Sequence, residues 1–199
     1  MTMTGAQRDL LIDYWFPVTE VSVESIRERI PGIDYPPVNR LHVWFARRPL
    51  LTSRAAILGS ILPSDVSREI VLRTLGIPLG ADLKRAQEEV LRAKLARTRL
   101  ATNPFRWEQA FRHVPTSHEV SQLTEILGQT WGSEKLQVLD PMAGGGSIPF
   151  EAIRLGLSTI AGDLNPVAFI CLKGTVEYPS RFRGRLHDAV KSFCVKIYD

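Results

Sequence analysis

Asp140 and Asp163 have the neighbours that chemistry would require. Each closes an apolar run, and the first is followed by three consecutive glycines, Gly144–Gly146. A glycine run after an apolar strand lets backbone approach a ligand, because no Cβ stands in the way. The second carboxylate lies 23 residues on (140 to 163), near the spacing at which an acidic side chain reaches the ribose hydroxyls of an adenosine ligand. Each charge-assisted hydrogen bond of that kind contributes about 1.5–3 kcal/mol.

Charge discriminates among adenosine ligands. A dinucleotide brings a pyrophosphate, and its G-x-G-x-x-G fingerprint needs a third small residue near the helix start. Gly144 and Gly146 supply the first pair, but Pro149 holds the third position. At about 5 Å and an effective dielectric near 20, Asp140 beside each phosphate charge would cost on the order of 3 kcal/mol. The same carboxylate attracts an ammonium or sulfonium by a similar amount. The loop therefore fits S-adenosylmethionine, with its amino group near Asp140 and its carboxylate near the following helix N-terminus. A nucleotide-hydrolysing loop would close on Gly-Lys-Ser or Gly-Lys-Thr, whereas Gly146 is followed directly by Ser147.

The elements that must position these groups are legible around them. "KLQVLD" reads as a strand and "SIPFEAIRLG" as a helix stopped by Gly156. "STIAGDLNP" reads as a second strand ending at Asp163, and "NPVAFICLKGT" as a helix with Asn165 as cap and Pro166 in its first turn. Strand, helix, strand, helix predicts a parallel α/β unit over residues 133–199.

Upstream, residues 1–63 form a first region. It holds a short helix starting around Ser22 and Glu24 and ended by Pro31-Gly32, an irregular proline- and aromatic-rich stretch "IDYPPVNRLHVWFARRPL", and a helix from Leu50 stopped by Pro63. Residues 64–132 read as all helix. Ser64 caps the first helix, which ends at Gly76; Leu79, Leu83, Ala86, Val90, Ala93 and Leu100 trace the stripe of the second; Thr116 with Glu119 forms a capping box for the third.

The 199 residues, 44% hydrophobic and 23% charged, suffice for one core with an appended lobe and argue against wholesale disorder. No apolar run approaches a membrane span, so no membrane partner and a cytoplasmic location are expected. The two cysteines, Cys171 and Cys194, form no C-x-x-C pair, so no metal site is expected. The net charge of +4 is unevenly spread: Lys84–Arg112 holds eight basic residues against three acids. Arg85, Arg92 and Arg99, seven apart, would share one helix face. Such a face either tracks a nucleic-acid backbone or is simply solvated, with pairs such as Glu88–Arg92.

The run Asp140-Pro141-Met142-Ala143-Gly144-Gly145-Gly146-Ser147, continued by "IPFEAIRLG" and "GDLNPVA", resembles the cofactor motifs of amino-group DNA methyltransferases. "LHVWFARRPLLTSRAAILGSILP", Leu41 to Pro63, resembles the signature of the large adenine-specific DNA methylases that carry an N-terminal domain of unassigned function and often a zinc ribbon. The resemblance covers about residues 8–63 and 135–185. It implies a partial Rossmann-like S-adenosylmethionine-dependent methyltransferase fold with a helical insertion, and DNA as partner. By the same resemblance Arg48, Pro49 and Leu50 line the methionine and adenine side, with Trp44 and Phe45 as walls or as core packing. Asp140, Pro141, Ala143, Gly144 and Gly146 hold the methionine end, Asp163 the ribose and Leu164 the adenine face.

The chain departs from the family at the catalytic step. An exocyclic amine needs acceptors for its hydrogens and an aromatic platform for the flipped-out base, which the family supplies with Asp/Asn-Pro-Pro-Tyr/Phe. No such tetrapeptide occurs: "DYPPV" at Asp34 has the wrong order, and "NPFRW" at Asn103 lacks the second proline. Two parallel strands are also too few for a sheet buried on both faces. The expectation is the cofactor-binding part of a larger enzyme, with a further segment or second chain supplying the catalytic motif and target recognition, or else a degenerate remnant of such an enzyme. Two other readings stand beside it: a non-catalytic module binding nucleic acid or a partner protein through Arg85–Arg112, and a dinucleotide oxidoreductase, which Pro149 and Asp140 disfavour.

Overall fold

The computed structural model describes residues 8–29, 36, 38–133 and 135–198. In chain order the elements are α1 Leu11–Tyr14, α2 Val18–Arg29, α3 Val38–Leu41, α4 Leu50–Ile61, α5 Arg68–Leu75, α6 Leu83–Leu95, a 3-10 turn Ala110–Arg112 and α7 Ser117–Trp131. There follow β1 Gln137–Asp140, α8 Ser147–Arg154, β2 Ser158–Ala161, α9 Pro166–Leu172, a π-helical turn Lys173–Glu177, α10 Tyr178–Phe182 and α11 Gly184–Tyr198. The chain divides into two compact units, Met1–Ile33 with Pro49–Leu136, and Asp34–Arg48 with Gln137–Asp199.

The first unit is helical and is organised by buried charge. Leu50, Leu51, Leu58, Leu62 and Leu75 are fully buried, and so is Arg54. The Arg54 guanidinium donates to the carbonyls of Thr74 and Leu75 at 3.3 Å each and to that of His113 at 2.9 Å. It thereby satisfies the last carbonyls of α5, which no intrahelical amide can reach. Glu28 does the reverse for α4: Pro49 occupies the cap and has no side-chain acceptor, so the Glu28 carboxylate accepts from Leu50 N–H at 2.7 Å and Leu51 N–H at 3.2 Å. Glu24, 1% exposed, pairs with Arg27 and accepts from Trp107 Nε1 at 2.9 Å and Ala110 N–H at 3.0 Å. Arg27 lies 4.1 Å from the Phe105 ring centroid, so the irregular stretch before the 3-10 turn is pinned to α2.

Helix α2 begins at Val18, four residues before Ser22, because Pro17 C=O accepts the Val21 amide and starts the ladder; its expected stop at Pro31-Gly32 lies outside the described residues. The stretch after Pro36 contains one helical turn, α3, before becoming irregular from His42. Ser64 does not cap α5, which starts at Arg68 behind Ser67. Its amide bonds Asp9 C=O and its carbonyl accepts Trp15 Nε1 at 2.9 Å, which holds it against the Leu10–Pro63 bridge.

The region 64–132 is not all helix, since residues 96–109 hold no regular element. Helix α6 closes in a Schellman motif: Arg97 takes the left-handed conformation (φ 53°), its amide bonds Lys94 C=O, and Thr98 N–H bonds Ala93 C=O at 2.9 Å. Leu79 and Leu100 fall outside the helix, and Arg99 leaves the face of Arg85 and Arg92. The capping box at Thr116 and Glu119 forms as expected at the start of α7.

The second unit contains the parallel α/β arrangement. β1 and β2 pair in parallel with Val138 opposite Thr159 and Leu139 opposite Ile160. Helix α8 packs on both strands. Leu139 and Ile160, 67% and 52% exposed, share a sheet face that is largely open. Asn165 caps α9 by accepting Val167 N–H at 2.9 Å, with Pro166 in the first turn. Among the described residues no helix is long and apolar enough to cross a membrane.

Candidate functional site

The loops that follow β1 and β2 lie side by side, stitched by their own backbone. Gly162 N–H bonds Asp140 C=O at 2.9 Å, and Ala143 N–H bonds Gly162 C=O at 3.0 Å. Asp163 sits two residues beyond the end of β2, not at it. That displacement places its carboxylate between the two loops. Oδ2 accepts Gly144 N–H at 2.8 Å, and Oδ1 accepts Asn165 N–H at 2.8 Å.

The structure thus brings Asp163 and Gly144 together. These amide donors, Asn165 first and Gly144 next, hold the Asp163 carboxyl below its ordinary value of 3.8. A carboxyl whose folded pKa is lowered stabilises the fold fully above its unfolded value and loses that contribution as pH falls through the folded one. The Gly144 and Asn165 amides are therefore expected to keep their hydrogen-exchange protection at about pH 5 and to begin losing it only below 3.8. Protection factors measured by NMR across that range check this; loss already at pH 5 would contradict it.

Asp140 is half-buried at the end of β1, where Oδ1 receives Met142 N–H at 3.3 Å. Pro141 and Met142 form an exposed turn, and Ala143 is half-buried behind them. Pro149 is buried in the first turn of α8, where its missing N–H removes no intrahelical bond. The amides of Ser147 and Ile148 at this N-terminus have no intrahelical acceptor.

The glycines answer to neighbours that their spacing did not identify. Gly144 has φ 53°, and a Cβ there would stand 2.6 Å from Trp44 Nε1; at Gly145 it would stand 3.1 Å from Trp44 Cβ. Gly146, φ 86°, rests against Leu172 and Val176, the latter in the π-helical turn. Two of the three glycines therefore admit the Trp44 indole, which Phe45 stacks upon at 5.0 Å between ring centroids. By sequence alone Trp44 reads only as a wall or a core residue. Nothing local links it to a loop 100 residues later.

The remaining candidates scatter. Arg48 has an exposed side chain, and its carbonyl accepts the Ser147 hydroxyl at 3.0 Å; Ser147, the residue right after the glycines, was not singled out by sequence. Pro49 is buried at the start of α4 and belongs to the first unit, whereas Arg48 closes a segment of the second. Leu164 is 97% exposed beyond Asp163. Arg85 and Arg92 lie exposed on α6, with Arg92 paired to Glu88 at 3.1 Å, the solvated-face arrangement. Cys171 is buried.

Residues 15–77, about a third of the chain, match a family described as a protein of unknown function, DUF1156. No curated protein and no solved structure matches the chain. The matched stretch holds the Glu24, Glu28 and Arg54 groups of the first unit and the Trp44–Arg48 segment of the second.

Proposed function

We propose that this chain is the S-adenosylmethionine-binding part of a DNA (adenine-N6) methyltransferase with a partial Rossmann-like fold, whose catalytic Asp/Asn-Pro-Pro-Tyr/Phe motif comes from a further segment or a second chain. The observation that carries this reading is the Asp163 carboxylate bridging the glycine loop and the end of the second strand. The carboxylate accepts the Gly144 and Asn165 amides and also feels the Leu164 amide, and the lone-pair capacity left on its two oxygens suits a ribose hydroxyl. Asp140 offers a negative charge toward the cofactor's cationic methionine group, and the amides of Ser147 and Ile148, which have no acceptor within the helix, suit its carboxylate. Gly144 and Gly145 are already covered by Trp44, so the fit rests on the carboxylates and the helix end rather than on open space above the glycines. When bound, S-adenosylmethionine supplies an electrophilic methyl group. The protein's own residues bind and orient it, and the acceptor site for the adenine amine lies elsewhere.

The rival reading, a nucleic-acid-binding row of Arg85, Arg92 and Arg99, loses support because Arg99 is off the helix and Arg92 is paired. Isothermal calorimetry of the full chain is expected to register binding of S-adenosylmethionine and none of NADH. Asp163→Asn is expected to weaken the affinity by about tenfold, since an amide NH₂ would face one of the two N–H donors. No heat with S-adenosylmethionine, with the chain alone or with a partner bearing the catalytic motif, would overturn the proposal.

A further inference from the structure

The three most exposed large apolar side chains among the described residues are Leu164 at 97%, Phe45 at 84% and Met142 at 80%. All three belong to segments joined through the glycine loop: Met142 precedes it, Leu164 follows the carboxylate that bonds it, and Phe45 stacks on the indole that covers it. Of the three, Phe45 is the one that another ring backs.

Phe45 is also held in place. Trp44 is clamped over Gly144 and Gly145 on one side, and on the other the Ser147 hydroxyl fixes the Arg48 carbonyl at 3.0 Å. The chain bends at Phe45–Ala46 between these anchors. The ring planes of Trp44 and Phe45 lie 29° apart, so Phe45 turns its outer face to solvent as the top of a short stack. A ring held this way loses little freedom when a second flat group settles on it.

The charge beside it selects the occupant. From residue 36 to residue 64 the chain contains no Asp or Glu. Arg47 and Arg48 are exposed and make no ion pair with any described residue. A flat apolar face two and three residues ahead of two exposed arginines without an ion pair complements a molecule with a π-face and a backbone of negative charges. We infer that Phe45, backed by Trp44 and flanked by Arg47 and Arg48, is a stacking platform for an unpaired base of single-stranded nucleic acid. It needs no bound cofactor, and although the resemblance gives the same Arg48, Trp44 and Phe45 to the wall of the cofactor site, the two readings are tested by separate measurements.

Fluorescence anisotropy with a labelled single strand of roughly twelve nucleotides, in deoxy and ribo forms, and with the matching duplex tests it on the full chain. The single strand is expected to bind more tightly than the duplex, and the stronger of the two forms identifies the sugar. Phe45→Ala is expected to weaken binding by about tenfold or more, with Phe45→Trp restoring it. Arg47→Gln is expected to flatten the dependence on salt concentration. Equal affinity for duplex and single strand, or Phe45→Ala binding like the parent chain, overturns the inference. Oligonucleotide binding lost at Phe45→Ala in a chain that takes up no S-adenosylmethionine would sustain this inference and sink the other. The converse pattern would do the opposite.

Discussion

Gly144→Ala is expected to destabilise the second unit by about 2–5 kcal/mol and to remove cofactor binding with it. Two costs add. A side chain at φ 53° sits in the left-handed region, at about 1–2 kcal/mol for an L-residue. The new Cβ would also stand 2.6 Å from Trp44 Nε1, so the indole must leave its seat, an overpacking cost of about 1–3 kcal/mol. Two other glycines separate these causes. Gly80→Ala carries the same backbone strain, φ 74°, with nothing within 4 Å, and reports its cost in the first unit; Gly162→Ala, in the second unit, meets nothing within 4 Å at an unstrained φ. The expected order of loss in urea unfolding is therefore Gly144 above Gly80 above Gly162, the last within about 0.5 kcal/mol of the parent. Trp fluorescence should shift only in the first variant. If Gly144→Ala unfolds and binds S-adenosylmethionine like the parent, the indole is not what the glycine accommodates.

The second large effect is expected in the first unit. Glu24→Ala would leave the Arg27 guanidinium, 5% exposed, without its carboxylate and would strand the Trp107 indole N–H and the Ala110 amide. Removing one member of a buried pair costs about 3–5 kcal/mol, chiefly because the remaining charge stays desolvated. Glu24→Gln keeps one acceptor oxygen and should lose less. Urea denaturation followed by far-ultraviolet circular dichroism measures both. Equal, small losses would mean that water reaches the pair and that Glu24 does not anchor residues 105–110.

These two variants mark where sequence reading stops. The capping box at Thr116, the Asn165-Pro166 helix start, the Gly76 helix end and the β1–α8–β2 alternation were all legible, because each rests on hydrogen bonds or backbone angles within a few residues. The Asp140 and Asp163 spacing was legible for a related reason: one crossover helix between parallel strands constrains the separation of their ends. Arg97 shows the limit even locally. It takes a left-handed helix end where glycine would be the signal, and the basic row was drawn one turn too long.

What the chain determined by itself, then, is the strand–helix–strand–helix order from β1 to α9, the helix caps at Thr116 and Asn165, and a carboxylate in the segment that leaves each strand. Only the tertiary structure decided which distant groups those elements meet. Trp44 fills the space over Gly144 and Gly145, Asp163 spends one lone pair of each oxygen on backbone, and Arg54 and Glu28 finish helices that lack caps of their own. The physical reason is range. Capping and periodicity are written in neighbours three or four residues apart, whereas close packing and the satisfaction of buried charge depend on residues brought together from 20 to about 100 positions away.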